Sequence, residues 1–283
     1  MPRFRKASGA ILCPSCGRLT DASADACFFC GRRHPRGWAF IAGLRQLSSS
    51  VDVTRTIILV CGALYVISLL IDLHEALQVR GPFEVLSPSG RALNDLGMTG
   101  ALAWRLGHWW TLITAIYLHG GLLHILFNVL WVRQLGPAVE AVYGPARLVV
   151  IFTVGGVAGF LLSNLVGVSF TIGASGAIFG LLGALVAYGR QRGGTFGAIV
   201  FRQYGQWALI LFIFGFLLSG VNNFAHAGGF VGGLVCGLCL SSTDHRAETG
   251  VDYGLGVGVV VLTVVAFGLA FAHGIGAALL RSS

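Results

Sequence analysis

Seven apolar runs, each near the length a helix needs to cross a bilayer, constrain everything else this chain can be. A spanning helix takes about 20 residues at 1.5 Å each. Runs of that kind lie near 55–74, 121–141, 147–168, 172–189, 205–220, 222–241 and 254–279. In hydrocarbon, backbone polar groups must be satisfied within the segment, so such runs fold as helices. The expected class is an all-α polytopic membrane protein. Composition agrees, with 11% charged residues against about 25% in soluble domains. That excludes an ordinary soluble protein, a disordered chain and a coiled coil. Glycine makes up 42 of 283 residues without a Gly-X-Y period. Collagen is therefore excluded, and closely packed membrane helices are expected. Candidate packing pairs are Gly176/Gly180, Gly228/Gly232, Gly229/Gly233 and Gly254/Gly258.

The cations set the orientation. Nine of the 19 lie in residues 1–55, as expected of a cytoplasmic flank under the positive-inside rule. With the N-terminus inside, the inner loops also hold Arg133, Arg147, Arg190, Arg192, Arg202 and Arg246. The outer segments hold Arg80, Arg91, Arg105 and Arg281. A basic pI also admits nucleic acid as a partner, but this distribution favours a membrane. No apolar stretch precedes residue 55, so no cleavable signal peptide is expected.

Gly120-Gly121 breaks an apolar stretch too long for one span, since paired glycines weaken a helix interior. Residues 75–120 then read as a long loop between the first two spans. Its Trp104, Trp109 and Trp110 suit a membrane–water interface. The chain divides into a cytosolic module (1–45), a linker (46–54), a six-helix core (55–241), and an inner loop with a seventh helix (242–283).

Four of the seven cysteines crowd into the polar N-terminus as Cys13-x-x-Cys16 and Cys27-x-x-Cys30. Two such knuckles supply the four thiolates of a closed tetrahedral zinc site. Reduced cytosolic thiols favour metal over disulfides. A small four-cysteine, zinc-ribbon-like domain holding a structural zinc is expected, with His34 as a spare ligand and Gly17 and Gly31 closing the turns. Arg18, Arg32, Arg33 and Arg36 keep nucleic acid open, but facing anionic lipid or docking a partner protein fits their place beside a membrane span better. Cys236-x-x-Cys239, inside the sixth span, reads as packing.

Polar side chains within spans default to function. Span two carries His124 and Asn128, with His119 just before it. Span four carries Ser175, and span six carries Asn222, Asn223 and His226. These three spans all run inward. His124, Ser175 and His226 each lie about four residues in, roughly 6 Å below the outer helix end. His124 and Asn128 share a helix face. Serine becomes a nucleophile beside a histidine base, and Asn, His and backbone N–H groups stabilise an oxyanion. No Asp or Glu occurs between Glu140 and Asp244, so a Ser–His dyad without a triad acid is the natural form. Single polar residues in spans are more often packing or hydrogen-bonding groups. Their shared level weakens that reading and puts a serine hydrolase site on equal terms with it. An HExxH metalloprotease helix is absent, and the charged path of a transporter is nearly so.

The motifs resemble those of the rhomboid family of intramembrane serine proteases. His119-Gly-Gly-Leu-Leu-His124-Ile-Leu-Phe-Asn128 resembles the family's His…His…Asn helix. Gly136-x-x-x-Glu140-x-x-x-Gly144 resembles its GxxxExxxG. Gly173-Ala174-Ser175-Gly176 resembles GxSG, and Ala225-His226-Ala227-Gly228-Gly229 resembles AHxxG. The resemblance covers roughly 55–241. It implies Ser175 as nucleophile and His226 as general base. It implies an oxyanion site of His124, Asn128 and the Ser175 N–H. His119, Gly173, Gly176 and Phe179 would support them, His119 near the active-site mouth. The fifth span would be a lateral gate, and the substrate a single-pass transmembrane protein cut near the outer face. Catalysis would need no cofactor. Thr111 stands where the family's first loop often carries Arg, and Phe179 where Tyr is common. A non-catalytic, rhomboid-like client binder is the alternative; loss of Ser175 or His226 would have favoured it. The short loops suit a bacterial inner membrane. His273, in the seventh span, reads as structural or interfacial.

Overall fold

The computed structural model describes residues 10–13, 18–21, 24, 26–31, 52–78, 85–218, 220–240, 242 and 248–282, with side chains omitted for Ile11, Leu12 and beyond Gly276. Cys16, Gly17, Arg32, Arg33, His34, Arg36, Arg80 and Arg246 lie outside the described residues, as do most of the linker and the Arg281 side chain.

Strands β1 (Ala10–Leu12) and β2 (Leu19–Asp21) form an antiparallel hairpin, with Ala10 opposite Asp21. Helices follow in order: α1 (Val53–Ile71), α2 (Leu73–Ala76), α3 (Gly90–Asp95), α4 (Ala101–Arg105), α5 (Thr111–Thr114), a 3₁₀ turn (Ala115–Tyr117), α6 (Leu122–Tyr143), α7 (Pro145–Leu165), α8 (Ser175–Arg192), α9 (Gly194–Leu217), α10 (Asn223–Cys239) and α11 (Gly250–Ser282). Seven of these have 17 residues or more, one for each expected span. Among the described residues, five helices are long and apolar enough to cross a membrane. The other two of the seven, α8 and α10, are glycine-rich; α8 is packed at the centre of the bundle, and α10 lays its glycine face against α7 and α8 while Val231 and Val235 are exposed. The chain is an integral membrane protein.

Every residue of α8 from Gly176 to Gly189 is buried. The long apolar side chains point elsewhere: Leu126, Phe127 and Leu130 on α6, Ile210, Ile213 and Phe214 on α9, and Val260, Val261 and Val264 on α11 are exposed. In water these bands would be a large aggregation-prone surface; in a bilayer they meet lipid. Helices do not associate in lipid through burial of apolar area, so close backbone contact and hydrogen bonds must hold them together. Glycine supplies the contact. A Cβ on Gly229 would meet the Gly176 carbonyl, and one on Gly233 the Gly180 carbonyl. One on Gly228 would stand 2.7 Å from the Ala158 oxygen. The expected pair Gly254/Gly258 behaves otherwise, since both face open space. On α11 the close approaches are made by Gly256, against Ala146, and Gly274, against the Asp95 backbone.

The segment 75–120 is more ordered than a plain loop. Its short helices are tied to the bundle by Thr171 N–H donating to the Thr99 carbonyl (2.8 Å) and Gly173 N–H to the Ala115 carbonyl (2.9 Å). Thr111 shares a hydrogen bond with Thr99 (3.0 Å) and donates to the His108 carbonyl (2.7 Å), while Asn164 of α7 donates to Thr99 (3.0 Å). A chain of small hydroxyls thus anchors this segment. The fifth helix starts at Gly194, eleven residues before its apolar run at 205. Gly193 and Gly194, both with φ +62°, make the break from α8, and residues 195–204 after them are already helical.

Arg147 departs furthest from expectation. Sequence placed it among the inner-loop cations; it is 1% exposed and points into the fold. Its Nε donates to Asp252 Oδ1 at 3.0 Å and its Nη2 to Oδ2 at 2.9 Å. Its backbone N–H donates to Glu248 Oε1 at 3.0 Å. Glu248 sits over Gly144 (φ +91°), where a Cβ would collide with its carboxylate. Burial raises the Glu248 carboxyl above the ordinary range. The cluster clasps the start of α11 to the start of α7.

Candidate active site

Ser175 is the first residue of α8, where backbone N–H groups lack intrahelical partners. The turn before it depends on Gly173, whose φ of +115° disfavours a side chain and whose Cβ would stand 2.5 Å from His124 Nε2. His226 is in the first turn of α10. Its Nε2 lies 3.0 Å from Ser175 Oγ, within hydrogen-bond reach. The two helices reach this separation because Gly176 and Gly180 of α8 face Gly229 and Gly233 of α10. Phe179, one turn below the serine, stacks on the His226 ring with centroids 4.3 Å apart and planes 15° from parallel.

His124 of α6 comes to the serine turn, against Gly173. His124 Nδ1 accepts the Gly120 N–H at 3.2 Å. A neutral imidazole then carries its proton on Nε2, the atom that faces Gly173. Asn128, one turn on, is buried and donates from Nδ2 to the His124 carbonyl at 2.8 Å. A carboxamide has two N–H donors, so one remains. His119 is fully buried rather than at a mouth. Its Nδ1 donates to the Tyr117 carbonyl at 3.2 Å, and its ring meets His124 edge-on at 5.1 Å. Gly176 has its Cα against α7 and α10, and a Cβ there would stand 3.4 Å from the Ala225 carbonyl.

Two residues that sequence reasoning left without a role hold this arrangement. Asn222 caps α10, accepting the Ala225 N–H at 3.2 Å. Its Nδ2 donates to Ser163 (2.6 Å) and Thr171 (3.2 Å), joining α10 to α7 and the serine loop. Asn223 Oδ1 accepts from His226 Nδ1 at 3.1 Å. An N-cap pattern at the start of a span could have flagged Asn222. Nothing local distinguishes Asn223. His273, in the last span, meets His108 edge-on at 4.6 Å, and His108 stacks on Trp110 at 4.8 Å. That small cluster joins α11 to the segment before α6.

In the N-terminal hairpin region, the thiols of Cys13, Cys27 and Cys30 lie within 4.8 Å of one another, with Cys13 and Cys30 Sγ at 3.7 Å. Zinc–sulfur bonds of about 2.3 Å in a tetrahedron put sulfurs about 3.8 Å apart, so the donors present fit such an ion. The Cys30 backbone N–H helps lower the Cys27 thiol to about 6, which favours the thiolate a metal needs. Gly31 has φ +67°, as the turn requires.

Fold and site together define a multi-pass membrane protein with a serine–histidine pair at one end of its bundle. The rhomboid domain model matches residues 106–243. The chain is 37% identical over 138 residues to rhomboid protease GluP of Bacillus subtilis (strain 168), covering 47% of this chain and 26% of GluP. It is 34% identical over 149 residues to YdcA of the same strain, itself named only as a candidate rhomboid protease, covering 50% of this chain and 72% of YdcA. It is 36% identical over 170 residues to RHOMBOID-like protein 7 of Arabidopsis thaliana, covering 55% of this chain and 51% of that protein. The chain thus spans about a quarter of GluP and half of RHOMBOID-like protein 7. It belongs to the rhomboid family.

Proposed function

We propose that the protein is an intramembrane serine endopeptidase that cuts single-pass transmembrane substrates near the outer membrane face. The observation that carries this reading is the 3.0 Å approach of His226 Nε2 to Ser175 Oγ. Ser175 Oγ attacks the scissile carbonyl carbon while its proton passes to His226 Nε2. His124 Nε2–H, the second Asn128 N–H and the Ser175 backbone N–H stabilise the oxyanion. Collapse breaks the C–N bond, and His226 returns the proton to the leaving amine. Water, with His226 again as base, then hydrolyses the acyl ester. Phe179 holds the imidazole plane, Gly173 and Gly176 shape the serine turn, and His119 backs His124.

Helix α9 fits the part of lateral gate. Only Gly197, Val200, Ala208 and Gly215 are buried along it, and its larger side chains, such as Phe212 against Phe179 and Trp207 against Trp131, touch the bundle while staying partly exposed. The N-terminus lies in the cytoplasm, and the membrane is a bacterial inner membrane. Cys13, Cys16, Cys27 and Cys30 hold a structural zinc in a cytosolic docking module.

The test is cleavage of a single-pass helix, with small residues near its outer end, by the full chain in liposomes. Ser175→Ala and His226→Ala are each expected to cut at least ~10³-fold more slowly. Equal cutting by wild type and both variants would overturn the reading. For the module, elemental analysis is expected to give one zinc per chain, lost in Cys13→Ser. An unchanged metal content in that variant, or none in the wild type, would refute the zinc site.

A further inference from the structure

The dyad leaves one ring nitrogen of His226 to be accounted for. If the proton of the neutral imidazole sat on Nε2, that atom could not accept from Ser175. Some group must hold it on Nδ1. In serine hydrolases with a triad, a carboxylate performs this task, yet the chain has no Asp or Glu from 141 to 243. The Asn223 carbonyl oxygen stands at the required place, 3.1 Å from His226 Nδ1. Asn223 is not needed to start the helix, since Asn222 caps it. Its amide is seated from the other side by Gly215 of α9, where a Cβ would collide with Oδ1. The glycine therefore lets the carbonyl lie where the imidazole can reach it.

Resting on the hydrolase reading above, we propose that Asn223 is the positioning residue for His226. It holds the proton on Nδ1 and turns Nε2 to Ser175, and α9 seats it through Gly215. The orientation of the base is thereby coupled to the helix assigned as the gate. When α9 lies against the bundle the amide is fixed; when α9 moves away the amide loses its seat.

The test measures inactivation of the full-length protein in liposomes by an alkyl fluorophosphonate, which bonds Ser175 Oγ to phosphorus and expels fluoride. It separates the maximal rate from the half-saturating concentration and needs no knowledge of the natural substrate. Asn223→Ala is expected to lower the maximal rate by roughly 10- to 100-fold, with the half-saturating concentration within about twofold, because His226 is misaligned while the binding site is intact. Asn223→Asp keeps an acceptor oxygen at the same reach and is expected to restore most of the rate. Gly215→Ala is expected to slow labelling too. Combined with Asn223→Ala it should add little, because both changes remove one contact. An unchanged maximal rate in Asn223→Ala, a loss confined to the half-saturating concentration, or failure of Asn223→Asp to restore the rate would each overturn the positioning role. Multiplying losses in the double variant would overturn the seating by Gly215. Wild-type protein left unlabelled at Ser175 would bring down the hydrolase reading itself, and the positioning role with it.

Discussion

Arg147→Ala is expected to destabilise the protein by about 3–5 kcal/mol, the cost of leaving a buried charge without its partner. The variant takes two guanidinium bonds from Asp252, which is 3% exposed, and leaves its charge to the Thr249 N–H and hydroxyl. The Glu248 contact runs through the Arg147 backbone N–H and survives the change. The loss should therefore concentrate at α11, whose first turn would detach from α7. Unfolding of the detergent-solubilised protein and protease access near Glu248 would both report it. The double variant Arg147→Met/Asp252→Leu removes both charges and should recover much of the loss, since replacing a buried ion pair with apolar groups is often neutral or better. If Arg147→Ala and the double variant are equally damaged, the pair is not what clasps the helix.

Gly233→Ala is expected to act on activity more than on folding. The added Cβ would run into the Gly180 backbone, which has no rotamer to change, so α8 and α10 must separate. Ser175 lies at the head of α8 and His226 at the head of α10, and a shift near 1 Å between reacting groups can cost about 10²-fold in rate. Substrate cleavage should fall by about that factor while most of the protein stays folded in gel filtration. The control is Gly258→Ala, which faces open space and should leave both readouts unchanged. Full activity in Gly233→Ala would show that the crossing tolerates a wider separation than the hydrogen bond suggests.

The two glycines look alike in sequence. Both belong to small-xxx-small pairs, and only the packing separates one pressed against a backbone from one facing outward. The approximate helix positions and the serine, histidine and asparagine candidates were legible because each rests on local periodicity or composition. Lipid demands a helix from any sufficiently long apolar run, whatever its neighbours are. First-turn positions of His124, Ser175 and His226 likewise follow from counting along the chain.

Other features were beyond that reach. Arg147 and Asp252 are 105 positions apart, and a cation at a helix start reads as a loop charge until its partner is known. Asn223 became more than a polar residue beside a cap once its carbonyl met the imidazole three positions on and Gly215 closed over it. Thr111 ties into its segment through the Thr99 hydroxyl, which Asn164 of α7 also meets, and no spacing encodes that meeting. What the sequence determined by itself is that the chain is an all-α, multi-pass membrane protein and which polar groups lie within its apolar helices, because the bilayer acts on each segment separately. The tertiary structure alone decided which polar groups meet, because hydrogen bonds and backbone contacts between helices depend on angstrom-scale packing across distant parts of the chain.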